Sequence, residues 1–293
     1  MVVLSLLPST AAAVIFFGLY QLLIIIVAAG FANGTEAAIQ AVRKKKVSLY
    51  DGSAMITGLL LALTLPPNFS LAATALGAVV AIGLGKQIFG GLGYNIFNPA
   101  LVGRAFLQAA FPAAITTWTK PNFVVDSITS ATPLSAFKFD KIATSLGSMF
   151  WGNIGGSLGE TSAIAVLIGG IFLIAIGIAN WRVPLSMTIS IIVFGGLFWL
   201  INPVKYPTPF FQLFAGGFLF GAFFMATDWV TSPITGKGMW FFGFGIGAVV
   251  VVIRLFGGLP EGVMYSILFM NAFVPLINRY TVPRVFGAVK GAA

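Results

Sequence analysis

The sequence predicts an all-α integral membrane protein with about ten transmembrane helices. Of its 293 residues, 58% are hydrophobic and only 8% are charged. Soluble domains carry about a quarter charged residues, so this chain cannot cover a surface that faces water. A helix needs roughly 20 apolar residues to cross a bilayer, and the chain has room for about ten crossings joined by short connections.

Apolar runs divide the chain into ten predicted spans. They cover residues 2–17, 19–41, 53–65, 70–89, 97–115, 161–180, 183–201, 209–226, 239–256 and 262–279. The third and fifth runs are short for a full crossing, and Pro66 and Pro67 stop the third. Short segments interrupted by Gly or Pro are typical of broken helices, whose free backbone groups line a cavity enclosed by protein.

Basic residues predict the orientation of these spans. The Arg-Lys-Lys-Lys cluster at residues 43–46 marks the cytoplasmic side, because cytoplasmic loops are rich in Lys and Arg. Alternation then places both termini, Arg182 and Lys237 inside, and segment 116–160 outside. A loop that long in a compact protein is usually functional. The net charge of +9 reflects such membrane anchors, so we expect no nucleic acid partner.

Two segments of the chain resemble each other. The sequences GAVV and FGGL occur at 77–80 and 89–92 and recur at 247–250 and 256–259, and an Asn follows each FGGL, at positions 98 and 271. We interpret this as an internal repeat, against the alternative of chance similarity between Gly-rich segments. Five spans per half is an odd number, so the two repeats would be inverted, with a ligand or ion path between them.

The repeat divides the chain into three predicted units. Residues 1–115 form the first five-helix repeat, residues 116–160 the external loop, and residues 161–293 the second five-helix repeat.

The chain contains neither Cys nor His. This excludes disulfides, thiolate catalysis and Cys-ligated iron–sulfur clusters within the chain. It also removes the commonest metal ligand and the usual proton shuttle at neutral pH. Any redox chemistry must therefore use an organic cofactor or metals on partner subunits.

The external loop contains the sequence DSITSATPLS at residues 126–135. Thr132 precedes Pro133, which disfavours helix and holds Thr132 extended, so we expect its hydroxyl to be exposed. No Cys or His can activate this hydroxyl as a nucleophile, and it is better suited to modification by another enzyme. Lys120, Lys138 and Lys141 are close enough in sequence to offset a phosphate charge, or they are simply solvated.

The run from Asp126 to Thr132 resembles the acceptor motif of flavin transferases, which esterify the phosphate of FMN to the final Thr. Ser130 stands where that motif commonly has Gly, and Ala131 precedes the acceptor. With segments 51–67, 86–104 and 225–228, the whole chain resembles the D subunit of the Rnf complex, a membrane ferredoxin:NAD⁺ oxidoreductase. It is similar, more distantly, to the B subunit of the sodium-translocating NADH:quinone reductase.

This resemblance implies a urea-transporter-like fold of two inverted five-helix repeats. It implies that Thr132 carries FMN through a phosphoester bond on the outer face, within a motif that includes Asp126, Ser130 and Ala131. A second, non-covalent flavin, riboflavin, would lie deeper in the chain.

The resemblance also implies a place in an assembly. Electrons would pass through this chain between the flavin of the G subunit and the C subunit, which reduces NAD⁺. The A, B, C, E and G subunits would be partners, with a flavin transferase for maturation and Na⁺ or H⁺ as the translocated ion. The location would be the bacterial inner membrane, with the flavin loop on the outer side.

Two carboxylates are candidates for an ion path. Asp51 and Asp228 lie just outside apolar runs, at the inner ends of spans three and eight. An acid at the centre of a lipid-facing helix costs about 2.5–3.5 kcal/mol, so the few acids in such a chain need a reason. In one interpretation, the two acids bind the cation or control its entry, and hydroxyls such as that of Thr227 complete the oxygen shell of the cation. In the other interpretation, they cap helices. Both interpretations remain open.

Four further polar residues occur near or within apolar runs. Lys86 and Arg254 come shortly before the two FGGL copies, where they contact flavin or phosphate or extend to the membrane interface. Asn98 and Asn271 lie within apolar runs and require hydrogen bonds, which a flavin or a neighbouring helix can supply. We include Asn98 and Lys86 among the candidate cofactor-binding residues.

Two other classes of function fit part of the sequence. Inverted repeats, Gly-rich spans and few charges also suit a passive channel or small-solute transporter of the urea-channel type. A purely structural scaffold for other subunits is a third interpretation. The motif at residues 126–132 distinguishes them, because neither a channel nor a scaffold has a reason to keep a flavin acceptor.

Overall fold

A computed structural model describes residues 1–121 and 131–283, and within these ranges every regular element is helical. The α-helices of the first half are α1 (Val2–Phe17), α2 (Tyr20–Val42), α3 (Ser53–Leu63), α4 (Leu71–Gly83), α5 (Pro99–Ala110) and α6 (Pro112–Thr116). Those of the connecting segment are α7 (Pro133–Ser135) and α8 (Leu146–Trp151). Those of the second half are α9 (Ala163–Ala175), α10 (Arg182–Ser190), α11 (Gly196–Ile201), α12 (Pro209–Phe214), α13 (Phe218–Phe220), α14 (Gly236–Phe256) and α15 (Val263–Thr281).

Turns of other helical types extend these elements. Leu49–Asp51 and Gln87–Phe89 form 3₁₀ turns. Ala136–Asp140, Ile191–Gly195 and Gly221–Met225 form π turns, and the second of these joins α10 to α11.

Four described helical segments are long and apolar enough to cross a membrane. They are Tyr20–Val42, Leu71–Phe89, Arg182–Ile201 and Gly236–Phe256, and the shorter apolar helices α1, α3 and α9 accompany them. Long, continuous apolar helices with exposed hydrophobic side chains are the signature of lipid contact. The predicted class of helical membrane protein is therefore confirmed, while the ten-span layout stays a prediction.

The short third and fifth runs form short helices, as the sequence indicates. α3 ends at Leu63, shortly before the two prolines, and α5 ends at Ala110 before Pro112 begins α6. The eighth run, residues 209–226, does not form one continuous helix. Its helix is broken between α12 and α13, where Gly216 has a φ of +66°, a conformation that Gly adopts without a steric penalty.

Helix packing follows a similar order in the two halves. α2 packs against α3 and α4, and α4 packs against α5. In the second half α10 packs against α14, and α14 packs against α15, while α1 packs against α9. Glycines allow several of these close approaches, since a Cβ at Gly58 would collide with the backbone of Ala28 and one at Gly243 with the side chain of Ser186.

Asn98 and Asn271 join the two halves at the core. The backbone N–H of Asn98 donates to Oδ1 of Asn271 (3.2 Å), and the Asn271 amide donates to the carbonyl of Thr231 (3.0 Å). The Asn98 side chain accepts from the N–H of Ala100 and donates to the carbonyl of Met225. Both side chains are buried. Neighbouring protein groups therefore supply the hydrogen bonds that Asn98 and Asn271 require, which is one of the two interpretations given above.

Lys86 is buried and forms an ion pair with Glu36 of α2. Its Nζ lies 2.8 and 2.7 Å from the two carboxylate oxygens, and both side chains are at most 2% exposed. The amides of Gln40 and Gln87 also donate to Glu36. The alternative in which Lys86 extends to the membrane interface is therefore wrong, because a buried carboxylate on α2 needs a compensating charge.

Removing one partner of this pair leaves an isolated buried charge. We expect Lys86→Met to lower stability by about 3–5 kcal/mol, and the double variant Glu36→Leu/Lys86→Met to recover much of that loss. Thermal unfolding of the detergent-solubilised protein measures both, with Lys45→Met, an exposed residue, as the control. A double variant that melts below the Lys86→Met protein would contradict the assignment of a paired buried charge.

Candidate functional site

Thr132 lies at the start of a short helix and is held by its own turn. Its backbone is extended (φ −66°, ψ 157°), as its position before Pro133 predicts. Its hydroxyl donates to Oγ of Ser135 (3.0 Å) and accepts from the Ser135 N–H (3.2 Å). The side chain is 9% exposed, so the expectation of an exposed hydroxyl is wrong. The reason is that Thr132 acts as the N-cap of α7.

The other motif residues are only partly described. Ala131 is exposed, directly before the acceptor. Asp126 and Ser130 lie outside the described residues.

A narrow pocket of about 70 Å³ opens beside Thr132. Such a volume admits several water molecules, which is enough for a small group such as a phosphate. Its polar lining comes from distant parts of the chain: Arg104, Gln108, Thr116, Trp118, Thr132, Glu160, Glu261 and Tyr265. The pocket therefore places the predicted acceptor next to a cluster of buried charges.

The broken helix between α12 and α13 organises these charges. Glu261 accepts from the backbone N–H of Gly217 (3.1 Å) at the break, and its other oxygen pairs with Arg104 of α5 (2.9 Å). Glu160 is held by the N–H of Ser157 (3.0 Å), and a Cβ at Gly217 would collide with both carboxylates. Burial and the nearby Glu261 carboxylate raise the pKa of Glu160, which lies between α8 and α9.

Reasoning from the sequence did not single out Arg104, Glu160 or Glu261 as site residues. The sequence nevertheless held two signals. Only seven carboxylates occur in the chain, and Glu160 and Glu261 each stand directly before an apolar run. The Gly216–Gly217 pair inside an apolar run was the second signal.

Lys138 fastens the segment after Thr132 to the end of α14. Its ammonium donates to the carbonyls of Arg254 (3.1 Å), Gly257 (2.5 Å) and Leu259 (2.8 Å). Cations are favoured at this end of a helix, where carbonyl groups lack partners. Burial and the nearby Lys141 lower the pKa of Lys138. Of the three lysines considered for phosphate, Lys138 is therefore already engaged by backbone carbonyls.

A wide cavity of about 500 Å³ lies at the other end of α5. It brings together four residues that the sequence singled out: Asp51, Lys86, Asn98 and Asp228. Most of its wall is apolar, with contributions from side chains such as Ile56, Leu60 and Phe224. Ala100 lines this cavity, and Arg104 and Gln108 line the narrow pocket, so their Cα atoms are separated by about 6 Å and 12 Å along the axis of α5.

The two candidate acids both make local hydrogen bonds at this cavity. Oδ1 of Asp51 accepts from the N–H (2.8 Å) and hydroxyl (2.6 Å) of Ser53, and that hydroxyl also accepts from Lys86. Oδ2 of Asp228 accepts from the Thr231 hydroxyl (2.9 Å). Burial raises the pKa of Asp228, against the opposing effect of its hydrogen bonds. The Thr227 hydroxyl donates to the carbonyl of Phe223.

Comparison with known proteins adds the family. The NQR2, RnfD, RnfE family matches residues 1–287. This chain belongs to that family. It is similar to the D subunit of the proton-translocating ferredoxin:NAD(+) oxidoreductase complex of Clostridium ljungdahlii, with 44% identity over 98% of this chain and 90% of the relative. The D subunit of the Na(+)-translocating ferredoxin:NAD(+) oxidoreductase complex of Acetobacterium woodii is 42% identical over 99% of this chain and 90% of its own length. The D subunit of the ion-translocating oxidoreductase complex of Stutzerimonas stutzeri is 38% identical, with coverage of 98% and 90%.

The contacts of Lys138 can be tested by limited proteolysis of the purified, detergent-solubilised protein. We expect Lys138→Met to speed cleavage within residues 131–145 about tenfold, because the segment loses its attachment to α14. Lys141→Met is the matched control, since Lys141 only stacks over the Phe137 ring, with Nζ 5.4 Å from its centroid. Equal cleavage rates in the two variants would show that Lys138 does not hold the segment.

Proposed function

We propose that this chain is the membrane flavoprotein subunit of an ion-translocating ferredoxin:NAD⁺ oxidoreductase. The observation that carries the proposal is the flavin-acceptor motif ending at Thr132, in a chain whose family match covers residues 1–287. The names of its relatives support the same activity. Its partners would be the A, B, C, E and G subunits, in a bacterial inner membrane with the flavin loop outside.

Thr132 would carry FMN through a phosphoester bond. The narrow pocket lies beside it, and its wall contains the Arg104 guanidinium, which is paired with Glu261. The flavin ring would extend out of the pocket. When bound, FMN supplies one- and two-electron transfer. Because the Thr132 hydroxyl is buried in its cap, the attaching enzyme would act on an open form of this segment.

Covalent attachment can be read directly from the denatured protein. We expect the chain, produced with a flavin transferase, to fluoresce as a flavin adduct on a denaturing gel and to exceed its own mass by one FMN less water. Thr132→Ala should remove both signals because no other hydroxyl ends the motif. Ser130→Gly, which restores the residue common in the motif, is the control and should keep both. A fluorescent Thr132→Ala protein would refute the acceptor assignment.

The wide cavity would hold the second, non-covalent flavin. Its volume of about 500 Å³, its apolar wall and its few convergent polar groups are typical of a cofactor site. Lys86 and Asn98 lie in this wall, although their described hydrogen bonds are to protein groups. This arrangement would place one flavin at each end of α5.

Filling the cavity tests this assignment. Ile56→Trp should lower the riboflavin released by acid from purified protein at least fivefold while leaving the covalent FMN in place. Met55→Trp adds the same bulk at the neighbouring, exposed position and should leave riboflavin unchanged. Full riboflavin content in the Ile56→Trp protein would place the second flavin elsewhere.

The translocated ion, Na⁺ or H⁺, would approach the chain through the wide cavity. Asp51 and Asp228 both line it, and each presents a carboxylate oxygen close to a hydroxyl group. Oxygen ligands of this kind suit a hard cation.

Replacing Asp228 with Ala should abolish Na⁺-dependent turnover of the assembled complex while leaving covalent FMN intact. Asp140→Ala, at an exposed acid near Thr132, is the control and should behave as the wild type. Turnover of Asp228→Ala with the wild-type dependence on Na⁺ would remove this residue from the ion path.

The similar packing of the two halves supports the inverted-repeat layout. α2 on α4 corresponds to α10 on α14, and α4 on α5 corresponds to α14 on α15. Asn98 and Asn271, which follow the two FGGL copies, meet where the halves join. Family membership favours the redox subunit over the passive channel and over the scaffold.

A further inference from the structure

A basic pocket of about 70 Å³ adjoins the narrow pocket, from which Leu134 separates it. Four cationic side chains line it, Lys138, Lys141, Lys205 and Arg254, and no carboxylate appears among its described lining residues. Lys138 is occupied by backbone carbonyls. Among the residues that the structure describes, the ammonium groups of Lys141 and Lys205 make only contacts over aromatic rings, those of Phe137 and Tyr206. Two positive charges at the rim are therefore free to meet a ligand.

Two buried polar side chains form the inner wall of the basic pocket. Gln212 is fully buried, and neither its amide nitrogen nor its amide oxygen has a hydrogen-bond partner among the described residues. Arg254 is 6% exposed, so its guanidinium is enclosed by protein and does not extend along the lipid-facing surface. Its terminal nitrogens donate to the carbonyls of Gln212 and Ala215, while its Nε has no partner in the described part of the chain.

Unpaired buried donors of this kind indicate a missing hydrogen-bond acceptor. Buried polar groups in folded proteins nearly always have a partner, and here two unpaired donors, Nε2 of Gln212 and Nε of Arg254, belong to residues that line this pocket. An N–H of Arg254, an amide of Gln212 and two free ammonium groups all suit an anion with several acceptor oxygens. Glu160 and Glu261 lie near Arg254 and line the narrow pocket, but neither accepts a hydrogen bond from Nε of Arg254.

We propose that the basic pocket binds a phosphodiester group. Its volume suits a phosphate, and aromatic side chains from Phe137, Tyr206 and Phe211 surround the cations. It lies at the end of the apolar helix α14, where aromatic and basic residues are typical of the membrane interface. These features favour the headgroup of an anionic lipid. The other possible source is the phosphate of a flavin tethered at Thr132, which rests on the proposed function.

The test measures the thermal unfolding of the full-length, detergent-solubilised protein with added short-chain lipids. Ligands that bind only the folded state raise the unfolding temperature in proportion to their affinity. We expect short-chain phosphatidylglycerol to bind at least tenfold more tightly than the matching phosphatidylcholine. Lys141→Met/Lys205→Met should lose that preference, whereas Lys120→Met/Lys237→Met, with the same change in charge at exposed lysines, should keep it.

A second variant probes the buried wall. Gln212→Met removes the unpaired amide, so it should raise the unfolding temperature without lipid and weaken phosphatidylglycerol binding. A fall in the lipid-free unfolding temperature would show that the amide is satisfied within the protein and would overturn the proposal. So would equal binding of the two lipids to the wild type, or a lysine pair at the pocket that behaves as the control pair.

The Thr132→Ala protein separates the two sources of phosphate. Equal phosphatidylglycerol binding by wild type and Thr132→Ala supports a lipid site, and that result stands even if no flavin is attached. If the Thr132→Ala protein binds phosphatidylglycerol and the wild type does not, the phosphate of the tethered flavin occupies the basic pocket in the wild type. Inorganic phosphate, added as a third probe, should compete with the lipid in either case.

Discussion

Apolar surroundings require every buried charge and every free backbone group of this chain to find a partner within the protein. The broken helices are where that requirement becomes visible. Glu261 accepts from the free N–H of Gly217 and is itself neutralised by Arg104. Lys138 satisfies three carbonyls at the end of α14. The residues that line the narrow pocket are thus held in place by the same contacts that make the broken backbone tolerable.

Two chemically different spaces result, one at each end of α5. The wide cavity is mostly apolar, with a few polar groups in its wall, and suits a flat organic cofactor. The narrow pocket is small and charged, and it places Arg104 and two carboxylates beside Thr132. Asn98 caps α5 at one end and Arg104 projects from its middle, so this one helix positions groups in both spaces. The proposed function, in which this chain holds two flavins, would use both spaces.

Hydropathy predicted the elements that depend on local sequence. The apolar runs identified the helical membrane class and the short third and fifth runs, and Pro66 and Pro67 marked the end of the third. The break at Gly216 was not predicted, because residues 209–226 are continuously apolar. The carboxylate that stabilises it belongs to Glu261, which is distant in the sequence. The burial of Lys86 was also not predicted, because its partner Glu36 lies 50 residues earlier in the chain. The cap at Thr132 is local and could have been anticipated from a hydroxyl three residues before Ser135, but we expected an exposed hydroxyl instead.

The phosphoester bond at Thr132 is tested most directly by peptide mapping of the mature protein with mass spectrometry. We predict that the tryptic peptide ending at Lys138 gains the mass of FMN less water, with fragment ions that assign the addition to Thr132. An unmodified peptide from protein matured with an active flavin transferase, or an adduct assigned to another residue, would contradict this bond.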